Sequence, residues 1–231
     1  MMVLDLLRKD ISAALERDPA ARNRYEVVLF YPGFHAVAAY RLAHQLWQGG
    51  NHLGARTISA LAYRWTGVDI HPGATIGSGF FIDHASGVVI GETAVVGDDV
   101  TMYHQVTLGG RGDQTGKRHP DIEDRVVLGA GAKVLGPIRV GHDSRIGANA
   151  VVVRDVPPGS VVVGVPGQVI SRASRFEGTP LSNLEMPDAI GDGLKSLIDR
   201  VDEIAATVGQ PSKKDIRPRR DGMWSYEDFS I

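Results

Sequence analysis

The sequence predicts a mainly β protein: a parallel β-helix built from hexapeptide repeats, preceded by a small α-helical region and followed by a helical and flexible tail. Two observations predict the β-helix: apolar residues recur at every sixth position, and glycine follows many of them. A period of six fits neither an α-helix nor one long strand, whereas each repeat of a hexapeptide β-helix forms one short strand and one corner. The residues that we expect to point inward are Ile70, Ile76, Ile82, Ile90, Val96, Met102, Leu108, Ile122, Leu128, Val134, Val140, Ile146 and Val152.

We expect three regions along the chain. Residues 1–68 form the N-terminal helical region, and residues 69–170 form the β-helix, from which a loop at 110–121 protrudes. Residues 171–231 form a C-terminal helix and a flexible tail, with the helix placed over 188–208 by an apolar stripe.

The helices of the first region follow from amphipathic spacing. Apolar side chains recur three or four positions apart over residues 3–17, 34–48 and 53–65, and residues 25–31 form a short apolar segment. The first helix ends before Pro19, because the residue that precedes a proline is disfavoured in the α region.

Composition narrows the classes of function. The chain has 231 residues, of which 43% are hydrophobic and 23% charged, values typical of a globular protein. A net charge of −2 provides no basic field for nucleic acid. The absence of cysteine excludes disulfides, zinc–thiolate sites and thiol catalysis. No apolar run approaches the roughly 20 residues of a membrane span, and the N-terminus has no signal-peptide core, so we expect no membrane partner and a cytoplasmic location.

The hexapeptide series is interrupted twice. The first interruption, after Ile82, inserts two residues, and the second, after Leu108, inserts eight. Insertions in repeat proteins tend to collect on the binding face. Each interruption carries an imidazole beside a charged side chain, in the pairs Asp83–His84 and Arg118–His119. The sequence therefore predicts that the functional site lies at these two interruptions.

Asp69 and His84 form the first candidate constellation. They are fifteen residues apart, so a coil of about eighteen residues with a two-residue insertion places them on adjoining coils. An aspartate that accepts a hydrogen bond from one imidazole nitrogen leaves the other free to act as a general base near neutral pH. The same spacing also fits a structural pair that ties two coils together, and the residues leave both interpretations open.

Asp83 and Arg118 form the second constellation, with His119 beside them. A small zwitterion needs a carboxylate for its ammonium group and an arginine fork for its carboxylate, and these residues supply both. Asp18, at the end of the first predicted helix, suggests by itself a capping or solvated carboxylate. His104 follows Tyr103 inside a regular repeat and is interpreted as a surface histidine.

Nine segments, from Arg17-Asp18-Pro19 to Gly164-Val165-Pro166, make the chain similar to the serine O-acetyltransferases over residues 17–167. The repeats alone indicate only the wider acyltransferase superfamily, whereas the Asp-His-Ala-x-Gly-x5-Glu segment and the Arg-His-Pro loop are much more specific. The matching segments are Arg17-Asp18-Pro19, Val68-Asp69-Ile70-His71-Pro72, Asp83-His84-Ala85-Ser86-Gly87, Gly91-Glu92-Thr93, Val106-Thr107-Leu108-Gly109-Gly110, Lys117-Arg118-His119-Pro120, Gly129-Ala130-Gly131-Ala132-Lys133, Gly147-Ala148 and Gly164-Val165-Pro166.

The resemblance implies a left-handed β-helix and an activity. The enzyme would transfer the acetyl group of acetyl-CoA to the hydroxyl of L-serine, giving O-acetyl-L-serine and CoA in the first step of cysteine biosynthesis. The alkoxide would attack the thioester directly, without an acyl-enzyme. The implied roles are general base for His84, its orienting partner for Asp69, ammonium binding for Asp18 and Asp83, carboxylate binding for Arg118, and lining of the pocket for His119.

The resemblance also implies ligands and partners. Acetyl-CoA would bind as a co-substrate against the backbone near Gly110, Ala130 and Ala148, between the subunits of a homotrimer, and no cofactor or metal would be bound permanently. L-cysteine would act as a feedback inhibitor. The C-terminal Ile231 would contact O-acetylserine sulfhydrylase. The short N-terminal region favours a trimer over a hexamer, and His104 stands where many members have glutamine.

Three other functions remain to be weighed. A hexapeptide acetyltransferase that acts on a sugar or another small hydroxyl acceptor would keep the histidine base and the CoA cleft. A β-helical zinc carbonic anhydrase usually has two histidines five positions apart, and this chain has no such pair. A non-enzymatic solenoid would leave the imidazole at each interruption without an explanation.

Overall fold

A computed structural model describes residues 2–112, 115–172 and 189–207. The chain divides into two compact units, residues 1–184 and 185–231. No helix in this described part is both long enough and apolar enough to cross a membrane. The helices are α1 (Val3–Arg17), α2 (Arg24–Phe30), α3 (Pro32–Gln48), α4 (His52–Thr66) and, in the second unit, α5 (Ala189–Thr207).

The helix pattern agrees with the sequence except at α2. Helices α1, α3, α4 and α5 lie within two residues of their predicted bounds, whereas α2 is a helix where only a short apolar segment was expected. It forms because the Asn23 side chain caps it, accepting hydrogen bonds from the backbone N–H groups of Tyr25 and Glu26, each at 3.0 Å. Helix α3 then begins at once with Pro32, a residue suited to the first position of a helix.

The β-helix consists of short strands that alternate with corners. The described residues contain β1 (Asp69–Ile70), β2 (Thr75–Ile76), β3 (Phe81–Ile82), β4 (Val89–Ile90), β5 (Val95–Val96), β6 (Thr101–Met102), β7 (Thr107–Gly109), β8 (Asp121–Ile122), β9 (Val127–Leu128), β10 (Lys133–Leu135), β11 (Arg139–Val140), β12 (Arg145–Ile146), β13 (Val151–Val152), β14 (Ser160–Val163) and β15 (Gln168–Arg172).

The strands form three sheets, each of which is one face of a triangular prism. Face A has the order β1-β4-β7-β10-β13, face B has β2-β5-β8-β11, and face C has β3-β6-β9-β12-β14-β15. All pairs are parallel except β14 with β15, where the antiparallel β15 ends the helix. From β1 to β13, successive strands along the chain lie on faces A, B and C in turn, so three hexapeptides complete one coil.

The pairing of strands on neighbouring coils gives the length of both insertions. An uninterrupted coil pairs Asp121 with Arg139, eighteen residues on. Across the first interruption Asp69 pairs with Val89, a separation of twenty, and across the second Val95 pairs with Asp121, a separation of twenty-six. The interruptions therefore add two and eight residues to a coil of eighteen, as the sequence predicts, and both excesses emerge at corners.

The thirteen predicted inward positions are all buried and belong to one continuous core. Even the most exposed of them, Ile76, retains only 7% of its accessible surface. Burial of an aliphatic side chain of this size contributes about 1.5–3 kcal/mol, and stacking on the coils above and below provides the contacts.

A buried ion pair fixes α1 and α3 to the first coil. The Asp10 carboxylate and the Arg41 guanidinium are 2% and 3% exposed and lie 3.1 Å apart at the nearest atoms. Asp10 Oδ1 also accepts the Phe80 N–H at 3.0 Å, and Arg41 donates to the carbonyl oxygens of Ile76 and Gly77. The pair thus satisfies backbone groups of the β-helix as well as its own charges, and it holds the middle of α1 beside the first coil.

Candidate active site

The predicted site residues lie at two different corners of the prism. The acidic corner, between faces C and A, consists of Asp18, Tyr31, Asp83, His84 and His104. The loop corner, between faces A and B, consists of Glu92, Thr93, Gly110, Arg118 and His119. The two corners are opposite edges of face A, because β3 leads into the first and β7 leads into the second.

The first interruption shapes the backbone around His84. His84 and Ala85 both adopt left-handed conformations, with φ of 57° and 51°. This conformation costs a residue with a Cβ roughly 1–2 kcal/mol, and it recurs at other corners of the β-helix, at Asp99, Gln105 and Asn149 among others. The His84 side chain is 74% exposed, with Nε2 3.8 Å from Asp83 Oδ2. The insertion therefore presents an accessible imidazole beside a carboxylate.

Asp18 joins this corner from the end of α1. Its Oδ1 accepts the Ala20 N–H at 2.8 Å, and its Oδ2 accepts the Tyr31 hydroxyl at 2.6 Å. Burial, the hydrogen bond to Asp18 and the charge of nearby carboxylates raise the pKa of Tyr31 above its ordinary value, so the phenol remains a donor. Asp18 does form the local turn expected of a capping residue, but it also belongs to a cluster with a second carboxylate.

Asp83 provides that second carboxylate. Burial raises its pKa, and the nearby charge of Asp18 raises it further, whereas His84 lowers it. A carboxylate whose ionisation is disfavoured by burial and by a neighbouring carboxylate creates a local demand for a cation. The acidic corner is therefore suited to an ammonium group.

Arg17 anchors the chain immediately before Asp18. Its guanidinium donates to the carbonyl oxygens of Gly79 and Asp99 at 3.1 and 3.0 Å and forms an ion pair with the Asp99 carboxylate at 2.8 Å. These contacts join the end of α1 to a corner of the β-helix, so the position of Asp18 is fixed by tertiary structure.

Thr93 organises the loop corner. Its Oγ1 accepts the backbone N–H groups of Arg118 and His119 at 3.1 and 3.2 Å. Nδ1 of His119 lies 2.9 Å from Thr93 Oγ1 and accepts the Thr93 backbone N–H at 3.2 Å. Because Nδ1 accepts, the neutral His119 ring carries its proton on Nε2. One threonine thus fixes both the backbone of the long loop and the tautomer of His119.

Charge and close packing complete this corner. Arg118 Nη2 lies 2.6 Å from Glu92 Oε2, and this hydrogen bond lowers the pKa of Glu92. Burial, followed by the charge of Arg118, lowers the pKa of His119 and favours the neutral ring. Gly91 allows the ring to approach, because a Cβ at that position would lie 2.0 Å from His119 atoms. The half-buried Arg118 fork is the cation available here for a ligand carboxylate.

The acidic corner continues along the β-helix as a row of stacked corners. The Gln105 N–H donates to the Ser86 carbonyl at 2.8 Å, which places the His104 corner directly after that of His84. The carbonyl of His104 accepts from Gly131 at 2.9 Å, and that of Ala130 accepts from Asn149 at 2.8 Å. The row therefore runs through His84, His104, Ala130 and Ala148, with neighbouring coils about 4.8 Å apart.

The other predicted site residues are Gly110, Asp69 and Ile231. Gly110 belongs to the loop corner, since a Cβ built on it would lie 3.1 Å from His119 Nε2, so the three positions expected to contact CoA are divided between the two corners. Asp69 is exposed at the start of β1, and no hydrogen bond joins it to His84 in the described part of the chain. The Asp69–His84 contact stays a prediction, and Ile231 lies outside the described residues.

The structure adds site residues that sequence reasoning missed. Tyr31 carries no signal in the sequence, because its role depends on its contact with Asp18. Thr93 belongs to the matching segment Gly91-Glu92-Thr93, but its role depends on contacts with the long loop that the sequence does not show. The interpretation of His104 as a surface histidine is wrong for part of its ring. Its Nδ1 is buried without a hydrogen-bond partner, and its ring centroid lies 5.8 Å from that of His84.

Among the described residues, no group of side chains is arranged to hold a metal ion.

Comparisons with known proteins agree on one family. Residues 2–39 match the family described as serine acetyltransferase, N-terminal, and residues 119–154 match the bacterial transferase hexapeptide family. The chain is 59% identical to a serine acetyltransferase of Mycobacterium tuberculosis over 230 residues, which cover 99% of this chain and 100% of that one.

Solved structures give the same result. A serine acetyltransferase in complex with cysteine matches with a TM-score of 0.72 at 43% identity, covering 73% of this chain and 70% of that one. A Neisseria gonorrhoeae serine acetyltransferase in complex with serine matches with a TM-score of 0.71 at 43% identity, covering 73% and 69%. A Brucella abortus serine acetyltransferase in complex with coenzyme A matches with a TM-score of 0.71 at 46% identity, covering 73% and 68%.

Proposed function

The chain belongs to the serine acetyltransferase family and is an acyltransferase, and from this premise we propose that His84 is the general base that activates the hydroxyl of L-serine. The observation that carries the proposal is the exposed His84 imidazole beside the carboxylates of Asp18 and Asp83. A base next to an ammonium-binding pair suits an amino-acid acceptor better than a neutral one. The related structures with bound serine and with bound coenzyme A support the two substrates.

The serine molecule would be held by both of its charges. Asp18 and Asp83 bind the ammonium group, Arg118 binds the carboxylate, and His119 lines the pocket. Tyr31 and the Ala20 N–H already orient the Asp18 carboxylate, so little freedom is lost when the ammonium group arrives. L-cysteine has the same two charges on a side chain of similar size, and the related structure with bound cysteine supports its role as a feedback inhibitor.

The chemical step is a direct transfer. His84 takes the proton of the serine hydroxyl as the oxygen attacks the thioester carbon of acetyl-CoA. The tetrahedral intermediate then collapses, the bond from carbon to sulfur breaks, and the CoA thiolate takes the proton back from His84. Asp69 is proposed to hold the imidazole in the required tautomer. Its exposed position on face A leaves the carboxylate free for that contact.

The proposed site requires more than one copy of the chain. In a single chain Arg118 and His119 lie at the opposite edge of face A from Asp83 and His84. A homotrimer would resolve this separation, because a head-to-tail ring brings the loop corner of one copy against the acidic corner of the next. Acetyl-CoA would then lie between the row that contains Ala130 and Ala148 and the loop corner that contains Gly110 of the neighbouring copy.

Two other expectations concern a partner protein and the location in the cell. Contact between Ile231 and O-acetylserine sulfhydrylase stays a prediction, because Ile231 is outside the described residues. A cytoplasmic location also stays a prediction.

Transfer to a sugar hydroxyl would use His84 and the row of corners that contains Ala130 and Ala148, but it would leave the charges of Asp18, Asp83 and Arg118 without a ligand.

Release of CoA thiol from acetyl-CoA tests the proposal. We expect release to depend on L-serine and to fall by about 10²–10⁴ in His84→Ala. His142→Ala is a matched control, because His142 is also an exposed imidazole beside an aspartate, Asp143, but lies at the third corner of the prism. The activity of this control variant should equal that of the wild type. Full serine-dependent activity in His84→Ala would refute the base, and preference for a sugar acceptor would refute the substrate.

A further inference from the structure

We propose that α5 forms a parallel three-stranded coiled coil with the α5 helices of two further copies of this chain. This coiled coil would hold together the copies that share each active site. The inference rests on the homotrimer of the proposed function, and it assigns a partner to a helix of 19 residues that contributes nothing to the described site.

The spacing of apolar residues along α5 is that of a coiled coil. The intervals between them alternate between four and three residues, which is the heptad repeat that keeps one seam facing a partner helix. Leu194 and Val201 occupy heptad position a, and Ile190, Leu197 and Ile204 occupy position d. Five consecutive seam positions are therefore apolar.

The seam side chains that the structure describes are open to solvent. Leu197, Val201 and Ile204 are 62%, 59% and 63% exposed, although all three are large and apolar. They lie on one stripe of the helix and so form a contiguous apolar surface, a feature that marks sites of protein interaction. The described residues of the same chain leave this stripe available to a partner.

The other positions of α5 favour three strands. Asp199 at position f and Glu203 at position c are exposed and suit the outside of a coiled coil. Ile198 and Ala205, at position e, are apolar and half-buried, and they widen the seam on one side. A helix among three strands contacts two neighbours, so a wider seam fits it better than it fits a two-stranded coil. Isoleucine at position d, as at Ile204, also moves the preference from two strands towards three or four.

The proposed trimer supplies the number and the direction of the strands. Rotation about a threefold axis leaves the three α5 helices pointing the same way along that axis, so their coiled coil is parallel. Residues 173–188 connect β15 to α5, and a segment of this length spans up to about 50 Å when extended. A second contact between copies that already share active sites raises their effective concentration and opposes dissociation on dilution.

A single introduced cysteine tests the coiled coil directly, because the chain has no cysteine of its own. Ile204→Cys places a thiol in the seam. Ala206→Cys is the matched control, because Ala206 is also exposed but occupies position f on the outside. A short bis-maleimide should link up to about two thirds of the Ile204→Cys chains in pairs, since one reagent joins two of the three thiols in a trimer. We expect links in less than about a tenth of the Ala206→Cys chains.

Sedimentation of the same samples separates this proposal from the shared active site. Trimers of Ile204→Cys that are not linked, or that are linked no more than Ala206→Cys, would overturn the coiled coil and leave the shared site standing. Monomers without links would overturn both. Leu197→Cys, at the preceding d position, should be linked as fully as Ile204→Cys, and failure at both positions would exclude a merely local disturbance.

A charge in the seam provides a functional readout. Val201→Asp brings three carboxylates together at the centre of the coil, so the trimer should dissociate at a protein concentration at least about tenfold higher than that of the wild type. Activity per chain should therefore be lost earlier on dilution, while kcat at high concentration stays within about twofold because α5 contributes no residue to the proposed site. Glu203→Gln, which changes a charge on the outside, should follow the wild type. A dilution curve of Val201→Asp equal to that of the wild type would overturn the proposal.

Discussion

Replacement of Asp10 by alanine should destabilise the protein strongly and also weaken serine binding. Asp10 accepts hydrogen bonds from Arg41 Nε and Nη2 at 3.3 and 3.1 Å and from the Phe80 N–H at 3.0 Å, and both charged side chains are almost fully buried. Alanine leaves the guanidinium buried without its counter-charge and the Phe80 N–H without an acceptor. Loss of one partner of a buried pair costs about 3–5 kcal/mol.

The functional consequence follows from the position of Asp10 on α1. The same helix ends at Asp18, so a loosened α1 displaces a carboxylate of the acidic corner, and the KM for serine should rise more than the KM for acetyl-CoA. Urea unfolding at fixed protein concentration measures the free energy of unfolding. Steady-state kinetics with each substrate varied in turn measures the KM for serine and the KM for acetyl-CoA.

Two further variants make the test specific. Asp5→Ala changes a half-exposed aspartate on the same helix, 3.8 Å from Arg8, and should alter the unfolding free energy by about 0.5 kcal/mol or less. Asp10→Leu combined with Arg41→Met removes the unpaired charge but leaves the Phe80 N–H and the Ile76 and Gly77 carbonyl oxygens without their partners, so it should recover only part of the lost stability. A loss of less than about 1 kcal/mol in Asp10→Ala would refute the reasoning, since the pair would then not hold α1 in place.

Three other outcomes are expected. Tyr31→Phe removes the hydroxyl donor to Asp18 and should raise the KM for serine severalfold with kcat nearly unchanged; an unchanged KM would count against that contact. Gly91→Ala places a Cβ 2.0 Å from His119 atoms and should reduce kcat/KM for serine at least about tenfold, so wild-type kinetics would contradict the described loop. Burial lowers the pKa of both His71 and His119, so below about pH 6.5 the unfolded chain binds more protons than the folded chain. The free energy of unfolding should therefore fall between pH 7.5 and 5.5, and it should fall less in His119→Asn than in the wild type. An equal fall in the variant and in the wild type would refute this origin.

Most of the fold could be predicted because a hexapeptide β-helix records its core locally. Each inward residue is set by its place in a six-residue repeat, so Ile70 and Val152 could be assigned without knowledge of distant contacts. The two interruptions could be measured for the same reason. Helix α2 could not be assigned from its short apolar pattern, since it depends on the Asn23 cap and on the proline that starts the next helix.

The site was less accessible to sequence reasoning. His84 and Arg118 could be found because they interrupt a regular pattern. Tyr31 and Thr93 could not, because their partners lie 13 and 26 residues away along the chain and the contacts exist only after folding. Spacing alone also could not show that the acidic and loop corners are opposite edges of one face. That separation is a property of the wound coils, and it is the observation on which the proposed trimer rests.

Mixed trimers test most directly the claim that neighbouring copies share each active site. Equal amounts of His84→Ala and Arg118→Ala chains, unfolded and refolded together, should form sites in which both residues are intact. With random assembly each intact corner occurs with a chance of one half, so about one quarter of the wild-type activity should return although each variant alone is nearly inactive.

Wild-type chains mixed equally with the His84→Ala/Arg118→Ala double variant provide the complementary measurement. A shared site predicts about one quarter of the wild-type activity in this mixture as well, whereas a site within one chain predicts about one half. One quarter in both mixtures is the result we expect. No recovered activity in the first mixture together with one half in the second would contradict the shared site.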